Sequence, residues 1–134
     1  MSDKLPDNAP FYDQRQLLDR VKETVGEQHY IEIYDTLKAH SEEEIYYRTD
    51  HHWTTLGAYY GYQAWKKQTG ATSVVRLDPV NMTSVTDHFL GTLHSRINLP
   101  HVEDKIMIFP ETYQRPPRLT YDLNKKTSSY YEAD

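Results

Sequence analysis

The chain contains no cysteine, which excludes disulfides, thiolate catalysis and cysteine-ligated zinc. The compartment stays open, since many exported bacterial proteins also lack cysteine. No apolar run approaches the roughly 20 residues needed to span a bilayer. The N-terminus, Met1-Ser2-Asp3-Lys4-Leu5-Pro6, lacks the charged and apolar regions of a signal peptide. Basic residues are outnumbered, 15 Lys and Arg against 20 Asp and Glu. They are also scattered, with no stripe to neutralise phosphates, so nucleic acid is not an expected partner. Internal repeats and low-complexity tracts are absent too. Apolar residues make up only 37% of the 134 positions, a length suited to one domain with a modest core. Twelve tyrosines offset part of that deficit, each with a large contact area and one polar end.

Punctuation and periodicity divide what is there. Pro6 and Pro10 mark an extended lead-in over the first dozen residues. Asp13 with Gln16 resembles a capping box, and Leu17, Leu18, Val21 and Val25 recur at helical spacing up to Gly26, so a helix is expected over 13 to 25. Tyr30-Ile31-Glu32-Ile33-Tyr34 alternates and is β-rich, which predicts a strand. A single helical turn is expected from Asp35 to His40, then a solvated acidic stretch over Ser41 to Glu44. Ile45 to Arg48 form a short extended segment. Thr54 or Thr55 caps a helix running to about Gln68, with Gly70 as its stop. Gly57 and Gly61 leave a smooth strip on that helix where a backbone can approach closely.

Further on, Thr72 to Leu77 and Lys105 to Phe109 read as strands, and Val85 to Ile97 is ambiguous. Arg118 to Asp122 and Thr127 to Tyr131 read as a hairpin.

The chemistry concentrates at Asp50-His51-His52-Trp53. An Asp beside a His can hold one imidazole nitrogen as a donor, leaving the other to accept a proton. In an extended segment, a spacing of two points Asp50 and His52 the same way and turns His51 aside. The N-terminus of the following helix would stabilise the Asp50 anion and a neutral imidazole. Other readings of the triplet are a metal site and a purely structural corner. Two ligands from one corner do not complete a metal site, and the other histidines lack motif spacing, so no metal or cofactor is assigned. Phosphoesterases named for an Asp-His-His triplet carry further Asp motifs that this chain lacks. Nor does any serine sit in an Asp-Ser or Gly-x-Ser-x-Gly turn. Ser95 is the best of a poor set of candidate nucleophiles.

The stretch Tyr46-Tyr47-Arg48-Thr49-Asp50-His51-His52-Trp53-Thr54-Thr55-Leu56-Gly57-Ala58-Tyr59 closely resembles the signature of the bacterial DHHW protein family. Those proteins resemble SGNH-type hydrolases and the alginate O-acetylation proteins, whose matching segment reads Asp-x-His-Trp-Thr. Leu5 to Pro10, Ile31 to Leu37, Phe89-Leu90-Gly91-Thr92-Leu93 and Ser128-Ser129-Tyr130-Tyr131 also look like family segments, in family order. The resemblance implies an α/β fold, a single partial SGNH-like three-layer α/β/α domain with an irregular β-rich second half. It implies Asp50 as orienting acid and His52 as general base, with His51 in the variable position. Trp53, Tyr47 and Arg48 become candidates for substrate contact. The implied function is a carbohydrate esterase or O-acetyltransferase of the cell envelope, acting on a cell-surface polysaccharide beside other acetylation components. In the alginate-type relatives the serine follows the Asp-x-His segment in an Asp-Ser turn. No such pair occurs here, so the chain is expected to lack that element and a preceding N-terminal strand. It would then carry the acid/base part alone. The alternative is a non-catalytic carbohydrate-binding or structural module built on the tyrosines and Trp53.

Overall fold

A computed structural model describes residues 7–10, 12–72, 77–97 and 100–111, and the backbone of 118–121 and 126–129. Its elements mix helix and strand, as an α/β chain should, in the order α1 (Gln14–Val25), α2 (Tyr34–Ala39), α3 (Thr55–Thr69), β1 (Thr83–Phe89), α4 (Thr92–Ile97), β2 (Asp104–Ile108), β3 (Arg118–Tyr121) and β4 (Lys126–Ser129). Among the described residues the strands form two separate antiparallel pairs, β1 with β2 and β3 with β4. The second pair is the hairpin expected near the C-terminus. The strand expected over Thr72 to Leu77 falls largely on residues 73–76, outside the described residues.

Local chemistry sets the helix ends. Asp13 caps α1 by accepting from the N–H groups of Arg15 and Gln16 at 2.9 and 3.4 Å, and Gln16 Nε2 bonds back to its carboxylate at 3.0 Å. Gly26 ends the helix at φ 83°, a conformation that disfavours any Cβ. No residue of α1 is buried, and Leu17, Val21 and Val25 all stay exposed. Arg15 ties the helix down by pairing with Asp35 of α2 at 2.7 Å.

The strand expected over Tyr30 to Tyr34 does not form. Tyr34 opens α2, and the extended backbone before it pairs with no strand. The Gln68 amide at the end of α3 takes its place, bonding the Glu32 N–H at 3.1 Å and the Tyr30 carbonyl at 2.5 Å. The chain is extended at Tyr30 but has turned into the helical region by Ile33, so the alternating pattern does not continue as a strand.

Helix α3 is the platform for everything that follows. Thr54 caps it, accepting from Gly57 N–H at 3.2 Å while donating to the Glu44 carbonyl at 2.7 Å. Its glycine strip is used twice. A Cβ on Gly57 would collide with the Ile45 carbonyl oxygen, and one on Gly61 would lie 3.0 Å from the Trp53 ring. Among the described residues Ile45, Ala64 and Phe109 are the buried apolar side chains of the core, and Tyr59 packs on Phe109 with ring centroids 5.4 Å apart. Thr55 Oγ1 donates to the Met107 carbonyl at 2.5 Å, joining α3 to β2.

The β1–β2 ladder runs from Thr83 opposite Ile108 to Phe89 opposite Asp104, with two irregularities between. It brings Asp104, 6% exposed, beneath the residues 48–49 segment. Arg48 N–H donates to Asp104 Oδ1 at 3.1 Å. Thr49 N–H and Oγ1 donate to Oδ2 at 2.7 and 2.5 Å. Burial pushes this carboxyl upward, but the bonds from Thr49 and Arg48 outweigh it and hold the group below its usual range.

Two expectations follow. Asp104→Asn must turn an amide N–H toward one of these donors, so urea denaturation should show a loss of about 1–3 kcal/mol. Because the folded-state value lies below the unfolded one, the Asp104 contribution is complete above the ordinary carboxylate range and is lost as pH falls through the folded-state value. Acid titration followed by circular dichroism should therefore show wild-type stability falling at low pH and the Asp104→Asn variant falling less. Gly57→Ala, which would favour an isolated helix by roughly 1 kcal/mol, should instead destabilise by about 1–3 kcal/mol, because a backbone carbonyl occupies the space. Thermal melting would check it.

Candidate functional site

The Asp50 segment is the tip of a short loop closed at its base by a bridge between Tyr46 and Trp53. Tyr47 N–H bonds the His52 carbonyl at 3.2 Å, and Thr54 N–H bonds the Ile45 carbonyl at 2.9 Å. Between them the chain bends through residues 48–52. Thr49 is fully buried and anchors the tip on both sides. Its side chain meets Asp104, and its carbonyl accepts from the N–H groups of Leu93 and His94 at 2.9 and 3.1 Å.

Those N–H groups belong to the first turn of α4, and Asp50 completes their capping. Asp50 Oδ2 accepts from Thr92 N–H at 2.8 Å and from Thr92 Oγ1 at 3.1 Å. The helix end facing Asp50 is therefore that of α4, 42 residues on, not that of α3, where the sequence reading put it. Gly91 makes the approach possible. A Cβ there would overlap Asp50 Cβ and come within 2.6 Å of Oδ2 and 2.7 Å of the Thr49 carbonyl oxygen. The other carboxylate oxygen, Oδ1, faces His52. It accepts from His52 N–H at 3.0 Å and from His52 Nδ1 at 2.5 Å. The Thr92 N–H bond above all, supported by His52, outweighs burial and holds Asp50 well below the usual carboxylate range.

Hydrogen-bond accounting then fixes both imidazoles. Asp50 is ionised and can only accept, so His52 Nδ1 carries a proton, and in the neutral ring Nε2 presents the lone pair. The single Thr92 hydroxyl proton goes to Asp50 Oδ2, so the 2.8 Å contact between Thr92 Oγ1 and His51 Nδ1 needs the proton on His51. Both rings thus turn Nε2 outward as an acceptor. They lie 3.9 Å apart, centroid to centroid, with His51 Nδ1 only 3.6 Å from Asp50 Oδ1. His51 is not turned aside as strict alternation predicts, because alternation requires extended backbone and this segment bends.

The candidate substrate contacts divide between two faces. Trp53 lies along the glycine strip of α3 yet remains 41% exposed. Tyr47 and Arg48 line an open cleft of about 630 Å³ together with Tyr46, Leu56, Met82 and Met107, and neither histidine lines it. Arg48 is also tethered, its guanidinium donating to the Glu103 carbonyl at 2.6 Å. Ser95 does not meet His52. Its hydroxyl bonds back to the Gly91 carbonyl at 3.3 Å.

Asp104, Thr92 and Gly91 are the members of this arrangement that sequence reasoning missed as site residues. Gly91-Thr92 stood out as part of a family-like segment, but nothing local paired it with Asp50. Asp104 carried no signal at all.

Among the described residues no helix is long and apolar enough to cross a membrane. No curated protein and no solved structure matches the sequence. A family model described as DHHW protein matches residues 14–108, from the first residue of α1 to the last of β2, so the capped loop and its supports all fall inside the match. On that match, and on the Asp-His-His-Trp loop at its centre, the chain belongs to the DHHW protein family.

Proposed function

We propose that this chain supplies the acid/base part of a carbohydrate esterase or O-acetyltransferase of the cell envelope, with Asp50 orienting His52 as the general base. The observation that carries this reading is the 2.5 Å bond from His52 Nδ1 to an Asp50 carboxylate that Thr92 already holds in place. In the neutral ring a fixed anion on Nδ1 selects the tautomer whose Nε2 can accept a proton, and it then stabilises the imidazolium once a proton arrives. The proton comes from a serine hydroxyl as it attacks the acyl carbon, and backbone N–H groups stabilise the oxyanion that forms. His52 returns the proton to the departing alcohol. No serine hydroxyl among the described residues bonds His52, so this reading takes the nucleophile from outside the described residues. It sets the dyad in an SGNH-like three-layer framework outside the cytoplasm, with a cell-surface polysaccharide as substrate and envelope acetylation components as partners.

A second reading draws on the same carboxylate. Asp50 caps α4 with one oxygen and the loop backbone with the other, which is a complete structural role by itself. Trp53, with one face on α3 and 41% exposed, would then serve as a platform for a sugar ring in a non-catalytic binding module.

Aryl-acetate hydrolysis separates the two. Turnover is expected of the protein in its native form, with the serine in place. In that protein His52→Ala and Asp50→Ala should each lower kcat by about 10²- to 10⁴-fold. Asp50→Asn keeps an acceptor for Thr92 N–H but turns its amide N–H toward the His52 N–H, so it should cost about 1–3 kcal/mol of stability, stay folded and lose activity. Full activity in the His52→Ala and Asp50→Asn proteins would sink the dyad, and oligosaccharide binding without turnover would favour the binding module.

A further inference from the structure

Asp50, His51 and His52 each offer one ligating atom, and these atoms lie within 4.8 Å of one another. Among the described residues this is the only group of three such side chains that converges. The other histidine–carboxylate contacts, His40 with Glu43 and His88 with Glu103, are pairs. His51 Nδ1 stands 3.6 Å from Asp50 Oδ1. A tetrahedral ion with bonds of about 2.0 Å separates its ligands by roughly 3.3 Å, so this edge is nearly in place. His52 Nδ1, at 2.5 Å from the same oxygen, is hydrogen-bonded to it. That edge must open by about 0.8 Å to admit an ion.

Access and support are both present. The two imidazole side chains are 61% and 65% exposed, while the carboxylate between them is buried and held from behind by Thr92. Metal ligands are commonly oriented by such outer hydrogen bonds. Two imidazoles and one carboxylate form a borderline donor set, suited to zinc, cobalt, nickel or copper and poorly suited to magnesium or calcium.

We propose that Asp50 Oδ1, His51 Nδ1 and His52 Nδ1 form a binding site for one divalent transition-metal ion of the zinc class, and that the ion replaces the Asp50–His52 hydrogen bond. Each Nδ1 proton moves to Nε2 of the same ring through water as the ion arrives. Both rings stay neutral, no net proton is released, and water fills the remaining coordination. With Nε2 protonated, His52 can donate but no longer accept, so the ion switches the base off. This regulatory consequence rests on the proposed base role; the ion site does not.

The test is calorimetric titration of zinc into the 134-residue chain, with proton NMR following the deshielded His52 Nδ1–H. One ion should bind per chain, and that resonance should vanish in step with binding. His51→Ala and His52→Ala should each weaken binding by at least about tenfold, as should Asp50→Asn, which removes the anionic ligand while sparing the bond to Thr92 N–H. His88→Ala and His101→Ala should leave the affinity unchanged. Absence of saturable binding at millimolar zinc overturns the proposal, as does binding indifferent to the first three replacements or a His52 resonance that survives saturation. If zinc binds as described while the native His52→Ala protein keeps full esterase activity, the site stands and the base reading falls.

Discussion

The buried carboxylate of Asp104 is the constraint on which the loop geometry depends. The loop tip, Arg48-Thr49-Asp50-His51-His52, has no apolar side chain to drive it against the body of the protein. Ile45, Ala64 and Phe109 are the buried apolar residues described, and none belongs to the tip. Hydrogen bonds must therefore hold it, and neutral ones contribute only about 0.5–1.5 kcal/mol each, whereas bonds to a charged group reach roughly 1.5–3 kcal/mol. Asp104 collects two backbone N–H groups and the Thr49 hydroxyl on one anion. A low-dielectric surrounding strengthens those bonds and raises the cost of breaking any one of them.

The Asp50–His52 pair inherits its position from that anchor. With Thr49 pinned through its side chain and N–H, its carbonyl is committed to the first turn of α4. The next residue then meets the same helix end, and the nearest unsatisfied donor is Thr92 N–H. Asp50 takes it with one oxygen, which turns the other toward His52. Gly91 is required at this point because any side chain would fill the volume that Asp50 and the Thr49 carbonyl occupy. Two buried anions thus lie on either side of Thr49 without sharing a donor. Asp104 draws on Arg48 and Thr49, Asp50 on Thr92 and His52. That separation lets both stay ionised.

What the sequence made legible was whatever is decided within a few residues. Asp13 as a cap, Gly26 and Gly70 as stops and the cap of α3, narrowed to Thr54 or Thr55, each depend on neighbours within a turn or so, and the structure bears them out with Thr54 as the α3 cap. The Tyr30 to Tyr34 strand failed at the next level up. A strand needs both extended backbone and a partner, and here Ile33 already turns toward α2 while a glutamine amide takes the backbone bonds of Tyr30 and Glu32. His51 failed for a related reason, since alternation was applied to a segment that bends. The Thr49–Asp104 and Asp50–Thr92 bonds span 55 and 42 residues and join polar side chains that no periodicity marks. The DHHW resemblance located the loop but not the supports that give its carboxylate a direction.

The arrangement sets a fixed, buried anion beneath two exposed imidazoles, and that asymmetry bears on what the loop can do. The anion below fixes the His52 tautomer directly and the His51 tautomer through the Thr92 hydroxyl, whatever lies above them. A proton acceptor at Nε2 therefore exists in open water. Stabilising a developing oxyanion is different, because it depends on donors acting where water is excluded. Nothing described on this face supplies such enclosure, and the 630 Å³ cleft opens elsewhere. Acyl transfer at this loop would thus require the outer face of His51 and His52 to be covered when it occurs, by a polymer laid across Trp53 or by another polypeptide surface. Left uncovered, the same two rings stay accessible to any ion that prefers imidazole, so covering the site would both enable the proposed transfer and protect the proposed base.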